Sequence, residues 1–173
     1  SWGCRNRRRN RAVVFVDGSD VLDPYALAAF AQASDGGRAE LLYADEDRID
    51  AKGRRRDPDF KPAFSPTKLA ASNYIGRLAM IRTRTAVDAG AFAETAADPE
   101  WDLMLRLSRR RARFRRVPRC LYHRRTAVSP HDSRRSCSEA TEHVNALGRP
   151  ARSMASPGGC RVVAVARHRP DGA

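Results

Sequence analysis

Short apolar runs alternate with amphipathic segments along the first two-thirds of the chain. Residues 12–16 (AVVFV) form a continuous apolar run that ends at Asp17-Gly18, a pattern typical of a buried strand in a parallel sheet. Residues 39–44 predict a second strand, and residues 78–82 predict a third. Because helix patterns separate these strands, the sequence predicts an α/β layered fold, in which ligands bind at the carboxyl ends of parallel strands.

Helix start and stop signals stand between the first two strands. Asp23 is a candidate cap, and Pro24 suits the first position of a helix. The inward stripe of this helix is predicted to contain four apolar residues, Leu27, Ala28, Phe30 and Ala31. Residues 35–37 (DGG) end the helix.

Shorter elements are predicted downstream. Residues 47–64 have little apolar periodicity and predict a hairpin or a long loop, with a turn at Lys52-Gly53. The further elements are a short helix over residues 65–72, a helical turn over residues 85–89, an amphipathic helix over residues 100–111, and brief strands over residues 114–117 and 121–123 around Pro118.

The two ends of the chain differ in composition from its middle. Residues 1–11 carry five arginines among polar neighbours, which predicts a disordered lead-in. Ser, Arg, Pro and Gly dominate residues 126–173, which predicts a poorly ordered tail or an inter-domain linker. At 173 residues the chain is long enough for a domain with a substantial core. We therefore expect one folded domain over residues 12–125.

The chain is strongly basic, with a formal net charge of +13 and 33 lysines and arginines. Charge of this size is typical of proteins that bind nucleic acid or an anionic surface. Only Lys52, Lys61 and Lys68 are lysines, however, so the remaining 30 basic residues are arginines. Such a skew also arises from the coding bias of a G+C-rich genome, and we favour this second explanation. Nucleic acid is not the expected partner.

Cysteine spacing and hydropathy exclude two further classes. The four cysteines, Cys4, Cys120, Cys137 and Cys160, form no pair at metal-ligand spacing, so we expect reduced thiols rather than a zinc site. No apolar run approaches the roughly 20 residues that span a bilayer. The arginine-rich start also lacks the apolar segment of a signal peptide. We expect a protein of the cytoplasm or of the inner face of the membrane.

Acidic residues follow two of the predicted strands and open a predicted helix. Asp17 and Asp20 follow the first strand, and Glu100 with Asp102 opens the helix. Three more follow the second strand: Asp45, Glu46 and Asp47. If the strands are neighbours, these acids converge on one edge of the sheet, where a cation, an arginine or a polar substrate such as a sugar must compensate them. A divalent ion that holds a diphosphate is one such compensator.

Structural explanations for the same acids stay open. Asp17 and its neighbours are also typical of a turn with a side-chain hydrogen bond to the backbone. Glu100 and Asp102 also suit the amino-terminal end of a helix dipole. The acids at residues 45–47 also suit a solvated strand end.

The order of these blocks resembles the family 2 glycosyltransferases, in particular the bacterial enzymes that build surface polysaccharides. The matching blocks are FVDGSDVLDPYAL, LLYADEDRIDAKGRRRDPDFKPAFSPTKLAASNYIG, AGAF, PEWDLMLRL and VPRCLYHRR. They extend over residues 12–125, roughly two-thirds of the chain. The second block is the longest and the most specific. The resemblance implies a GT-A fold and inverting transfer of a sugar from a nucleotide-sugar donor to a glycan acceptor.

The resemblance also implies a Mg²⁺ or Mn²⁺ ion that holds the leaving nucleotide diphosphate. Asp17 and Asp20 match the acids that bind this cofactor and the donor, and His123 matches a histidine that some relatives use near the metal. Ser19 stands where the family usually has another acid. The implied metal ligands are therefore Asp17, Asp20 and His123.

Glu100 stands at the position of the family's catalytic base, which is an aspartate. The extra methylene of glutamate displaces the carboxylate by roughly 1 Å, and errors of that size can lower a rate about 10²-fold. The residues implied to contact substrate are Asp45, Glu46, Asp47, Asp102 and Arg106.

The family's nucleotide-binding half normally precedes the segment that begins at Ala12. Only eleven residues stand there, so we expect a partial domain with weak activity by itself, next to a second transferase domain in some longer protein. The alternative is a non-catalytic module that binds sugar or polyanions, because residues 106–135 contain twelve arginines and one acid.

Overall fold

Helices flank both faces of a curled mixed sheet. The computed structural model describes residues 12–93, 96, 98–125, 141, 145–146, 151–156 and 159–164. The strands of the main sheet are β1 (Ala12–Val14), β2 (Val21–Leu22), β3 (Leu41–Ile49), β4 (Arg55–Asp59), β5 (Ala79–Arg82) and β6 (Phe114–Arg124). The helices are α1 (Ala26–Ala33), α2 (Pro66–Ala71), α3 (Thr83–Asp88) and α4 (Pro99–Arg109). β7 (Ala151–Ser156) and β8 (Gly159–Ala164) pair as a separate antiparallel hairpin.

β3 is the centre of the main sheet. The strand order is β1-β5-β3-β6-β2, and β4 pairs with the carboxyl-terminal half of β3. β3 and β6 run parallel, whereas the other described strand pairs are antiparallel. The α/β class predicted from the sequence is confirmed.

The prediction for the first strand is wrong in its placement. β1 is an edge strand that pairs antiparallel with β5, and Val13 is 37 % exposed. An apolar run of five residues indicates a strand, but the run alone does not identify the neighbouring strand.

Alternate residues of β3 enter two separate cores. Leu41 and Tyr43 pack with α2, α3 and α4 on one face, and Leu42 and Ala44 pack with α1 on the other. This alternation follows from the two-residue period of a strand. Because both faces are covered, the backbone of β3 is held rigidly as far as the acids that follow Ala44.

The predicted stripe of α1 is correct at Phe30 and wrong at its other three positions, since Leu27, Ala28 and Ala31 are exposed. The helix begins at Ala26 and buries Ala26, Ala29 and Phe30, which keep the i, i+3, i+4 spacing of a helix face. Leu27 is exposed instead. Residues 35–37 end the helix as predicted, with Gly36 at a positive φ of 59°.

The remaining predicted elements agree well with the structure. Residues 47–64 contain the β3–β4 hairpin, whose turn is held by Asp50 Oδ1, which accepts from the backbone of Lys52 and Arg54. α2 is capped by Ser65, whose side chain accepts from Lys68 N. α4 has its apolar face buried, with Asp98 as its cap.

β6 is one strand of eleven residues rather than two short pieces. Its register with β3 shifts after Ala44, which lies opposite Val117, so that Asp45 lies opposite Cys120. Pro118 falls in this bulge, where its missing N–H removes no ladder hydrogen bond. The bulge places Tyr122 and His123 beside the acids of β3.

The predicted lead-in, residues 1–11, lies outside the described residues, as does most of the predicted tail. Within that tail the structure has the β7–β8 hairpin, and the division into domains stays a prediction. In the part of the chain that the structure describes, no helix is long and apolar enough to cross a bilayer.

Candidate functional site

The three acids predicted to follow the second strand lie inside it. Asp45, Glu46 and Asp47 belong to β3 and are 2 %, 4 % and 4 % exposed. The sequence pattern missed this because acids are rare at buried strand positions. Buried charges must be paired to be tolerated, and each of these three carboxylates has a basic partner.

Glu46 is held by three groups from different parts of the chain. Lys61 Nζ lies 3.3 Å from Oε1, Arg124 Nη1 donates to Oε1 at 3.2 Å, and Arg77 N donates to Oε2 at 3.4 Å. Lys61 also pairs with Asp59. Gly76 passes directly over this group, because a Cβ at that position would lie 2.7 Å from Glu46 Oε2.

Asp45 fixes the start of the segment that follows β4. Arg116 binds both of its carboxylate oxygens, and Lys61 N donates to Oδ1 at 2.8 Å. The hydrogen bonds that Arg116 donates to Asp45 raise the pKa of its guanidinium. The oxygens of Asp45 are therefore used within the fold.

Asp47 and His123 form a buried pair. His123 Nδ1 lies 2.6 Å from Asp47 Oδ1, and Arg55 Nε donates to Oδ2 at 2.6 Å. The other ring nitrogen of His123 lies 3.9 Å from Asp23 Oδ2. Two carboxylates thus fix the orientation of the imidazole ring.

The loop after β1 packs against the end of β6. Asp17 N donates to the hydroxyl of Tyr122 at 2.8 Å, and Arg125 N donates to Asp20 Oδ1 at 2.9 Å. Burial raises the pKa of Tyr122 to about 12, so this hydroxyl stays neutral at physiological pH. Asp17 and Asp20 therefore lie beside the strand that carries His123, as the sequence predicted.

Asp17 also forms the side-chain turn that the sequence left open. Its Oδ1 accepts from Ser19 N at 2.9 Å and from Ser19 Oγ at 2.7 Å, while Oδ2 lies 3.4 Å from Arg77 Nη1. The hydrogen bonds from Ser19 hold the pKa of the Asp17 carboxyl below its usual value, with a smaller contribution from nearby arginines.

Glu100 lies half-buried in the first turn of α4. Asp98 caps this helix by accepting from Trp101 N at 3.0 Å, and Asn73 Nδ2 donates to Asp98 at 3.3 Å. The loop at residues 72–77 therefore contacts the cap of α4 through Asn73, and it contacts Asp17 and Glu46 through Arg77.

We call these neighbours the charged rim. It is the set formed by residues 17–20, Glu46, Asp47, residues 72–77 and residues 123–124. It contains five residues of the predicted site, Asp17, Asp20, Glu46, Asp47 and His123.

Asp102 and Arg106 bind each other, and the described contacts of Arg106 do not include the loop at residues 72–77. Arg106 Nη2 donates to Asp102 Oδ2 at 2.6 Å and to the carbonyl of Ala91 at 2.6 Å, and Nη1 donates to the carbonyl of Ala89. The pair fastens the end of α3 to α4. Its predicted contact with substrate stays a prediction.

The side chains of the charged rim do not fit the predicted Mg²⁺ or Mn²⁺ site. Both oxygens of Asp17 and one oxygen of Asp20 already accept protein hydrogen bonds. Nδ1 of His123 contacts Asp47. Within the described residues, no group of three or more His, Cys, Asp or Glu side chains is placed to hold a metal ion. The metal stays a prediction without support from this geometry.

Sequence reasoning missed the basic half of the charged rim. Lys61 stands in the FKP part of the long matching block and is one of only three lysines, and Arg77 directly follows its NYIG part. Lys61 therefore lies inside a quoted motif, whereas Arg77 lies one residue beyond it. Arg124 was hidden among the arginines of the carboxyl-terminal half.

Replacing Ser19 with alanine is expected to raise the pKa of Asp17 toward its ordinary value, because one of the hydrogen bonds to the ionised carboxylate is lost. In the wild type the depressed pKa means that ionised Asp17 stabilises the fold above the ordinary pKa, and that this stabilisation disappears as the pH falls through the folded-state pKa. An NMR titration of the side-chain carboxyl carbons measures the shift. The carboxyl of Asp50, whose pKa is lowered by the backbone N–H of Arg54, is the internal control. An unchanged Asp17 titration would contradict the assignment.

Two curated proteins are related to the chain in sequence. The O-antigen biosynthesis protein RfbC of Myxococcus xanthus is 36% identical over 128 residues, which cover 73% of this chain and 10% of that protein. The uncharacterized protein y4gI of Sinorhizobium fredii (strain NBRC 101917 / NGR234) is 34% identical over 100 residues, 57% of this chain and 11% of that protein. The chain thus spans about a tenth of the length of these relatives. The predicted resemblance to proteins of surface-polysaccharide biosynthesis is confirmed by the first of them.

One solved structure is similar to the chain at a low level. The crystal structure of S. aureus TarS 1-349 is similar with a TM-score of 0.46 and 14% identity, over 78% of this chain and 47% of that chain. A likeness at this level carries no argument for a shared fold. No family model matches the chain.

Proposed function

We propose that this chain, a relative of part of an O-antigen biosynthesis protein, is a segment of a family 2 glycosyltransferase of surface-polysaccharide biosynthesis. It takes part in the inverting transfer of a sugar from a nucleotide-sugar donor to a glycan acceptor. The observation that carries the proposal is the sequence relation over 128 residues, 73% of the chain.

The reaction requires a base that accepts the proton of the acceptor hydroxyl, and it requires groups that stabilise the departing diphosphate. The acceptor oxygen forms a bond to the anomeric carbon of the donor sugar while the bond from that carbon to the diphosphate oxygen breaks. The electron pair of the broken bond leaves with the diphosphate. We propose that the Glu100 carboxylate accepts the proton of the acceptor hydroxyl, since general bases of this type are usually carboxylates or imidazoles.

The acids of β3 have a different role in this proposal. Asp45, Glu46 and Asp47 are almost fully buried, and their oxygens bind basic groups of the protein. They therefore hold the hairpin, the loop at residues 72–77 and β6 in place around the substrates. Asp17 is the more accessible acid, with 37 % of its side chain exposed, and suits contact with a sugar hydroxyl.

A transfer assay tests the proposal. The purified chain is incubated with nucleotide sugars that differ in base and sugar, together with oligosaccharides from bacterial surface polysaccharide. Transfer is expected as a slow, protein-dependent release of nucleoside diphosphate that matches formation of the extended glycan. Failure of every donor and acceptor pair to give product, at protein concentrations close to those of substrate, would contradict the proposal.

One observation favours a second candidate, a module that binds polyanions. Arg109, Arg110 and Arg111 are exposed at the end of α4, and no ion pair is described for them. If this patch binds nucleic acid, the affinity falls steeply as the salt concentration rises. Replacing the three arginines by alanine then lowers the number of counterions released on binding by up to about three. Fluorescence anisotropy with a labelled duplex measures both effects. An affinity that does not change with salt concentration or with these substitutions would contradict this second function.

Two further expectations belong with the proposal. A second transferase domain in the longer protein and a location in the cytoplasm or at the inner face of the membrane stay predictions.

A further inference from the structure

Two arginines of the charged rim, Arg77 and Arg124, bind carboxylates in the region where the sequence predicted a metal. Arg77 Nη1 lies 3.4 Å from Asp17 Oδ2, and Arg124 Nη1 donates to Glu46 Oε1 at 3.2 Å. The backbone N–H of Arg77 donates to the other oxygen of Glu46. Both arginines therefore border the same buried carboxylate, and both add, after the hydrogen bonds from Ser19, to the lowering of the Asp17 pKa.

These two guanidinium groups retain unused donors. A guanidinium carries five N–H donors, and the described contacts of Arg77 and Arg124 involve one terminal nitrogen each. Their side chains are 40 % and 22 % exposed, so a ligand in the loop region can reach them. Guanidinium groups bind phosphate oxygens in a bidentate manner.

Three other basic groups, Lys61, Arg106 and Arg116, are bound more fully by the protein. Lys61 is 2 % exposed and lies between Glu46 and Asp59. Arg116 binds both oxygens of Asp45, and Arg106 is used by one carboxylate and two carbonyls. Among these groups, Arg77 and Arg124 combine exposure with donors that face no described acceptor.

We propose that Arg77 and Arg124 bind the diphosphate of the donor and stabilise it as it leaves, in the place where a divalent cation was predicted. This rests on the proposed function. As the bond between the anomeric carbon and the phosphate oxygen breaks, the oxygen keeps the electron pair and gains negative charge. The guanidinium N–H groups donate hydrogen bonds to this oxygen without losing a proton, because arginine stays protonated throughout. The acceptor proton goes to Glu100.

Pyrophosphate is a direct probe of this site. Isothermal titration calorimetry of the full chain with inorganic pyrophosphate in EDTA is expected to show binding without any divalent cation. Arg77→Ala is expected to weaken this binding about tenfold, because a charge-assisted hydrogen bond is lost. Arg124→Ala is expected to weaken the binding to the same extent. If that variant unfolds, Arg124→Lys replaces it in the experiment, because lysine keeps a positive charge beside buried Glu46.

Two controls separate the site from general basicity. Arg84→Ala removes an arginine that is 91 % exposed on α3 and is expected to leave pyrophosphate binding unchanged. Alanine at residues 109–111 removes the patch at the end of α4 and is also expected to have no effect. Binding that is absent in EDTA, or that depends on residues 109–111 and not on Arg77, would overturn the inference.

The outcomes also separate this inference from the proposed function. Sugar transfer that requires Mn²⁺ and is insensitive to Arg77→Ala would overturn the arginine site and leave the transferase intact. Pyrophosphate binding that depends on Arg77 in EDTA, with no transfer of sugar under any condition, would support the arginine site and overturn the transferase.

Discussion

Replacing Gly76 with alanine is expected to lower the free energy of unfolding by about 3 kcal/mol. Gly76 has a φ of +77°, and a Cβ there would lie 2.7 Å from Glu46 Oε2 and 3.0 Å from Lys61 Nζ. Both side chains are buried, and Lys61 Nζ lies 3.3 Å from the other carboxylate oxygen of Glu46, so neither side chain can move aside without weakening a buried ion pair. Urea denaturation followed by circular dichroism measures the loss.

Gly53→Ala is the matched control. Gly53 has nearly the same φ, +78°, but a Cβ there meets nothing within 4 Å. Only the backbone strain remains, which costs about 1 kcal/mol. Equal losses for the two variants would mean that the contact between Gly76 and the Glu46–Lys61 pair contributes nothing to stability.

Replacing Glu100 with glutamine is expected to lower the rate of sugar transfer by about 10²-fold to 10⁴-fold, which is the usual contribution of a general base. The amide keeps the size of the side chain but cannot accept the proton of the acceptor hydroxyl. Initial rates of glycan extension at saturating donor measure the effect. Binding of the glycan acceptor is expected to change little.

Two further variants make this prediction specific. Asp88→Asn removes an exposed carboxylate on α3 that pairs with Arg84, and its transfer rate is expected to match the wild type. Glu100→Asp restores the residue that the family uses at this position and is expected to retain transfer. A Glu100→Gln variant that transfers sugar at the wild-type rate would show that Glu100 is not the base.

Local elements could be predicted where the sequence carries its own boundary signal. α2 was predicted because Ser65-Pro66 combines a capping side chain with proline at the first helical position, and α4 was predicted from its amphipathic pattern. β1 was misplaced because strand pairing depends on residues far away in sequence. The stripe of α1 was wrong at three positions because the buried face of this alanine-rich helix is set by its packing against β3 and β6.

The acids of the site could be predicted, but their partners could not. Asp17, Glu46 and Asp47 stand out in sequence as a cluster after apolar runs, and the structure brings them to neighbouring positions. Glu46 pairs with Arg124 across 78 residues of sequence, in a chain where 30 arginines are equally plausible partners before folding. The bulge at Pro118, which sets the register of β6 against β3, also depends on tertiary contacts.

Mapping ligand contacts by NMR tests the role of the charged rim most directly. The ¹⁵N-labelled chain is titrated with a nucleotide sugar and a glycan acceptor while the backbone amide signals are followed. The largest shifts are expected at residues 17–20, 72–77 and 98–102. Shifts confined to the arginines at residues 109–119, or no shifts at all, would contradict a sugar-transfer site at the charged rim.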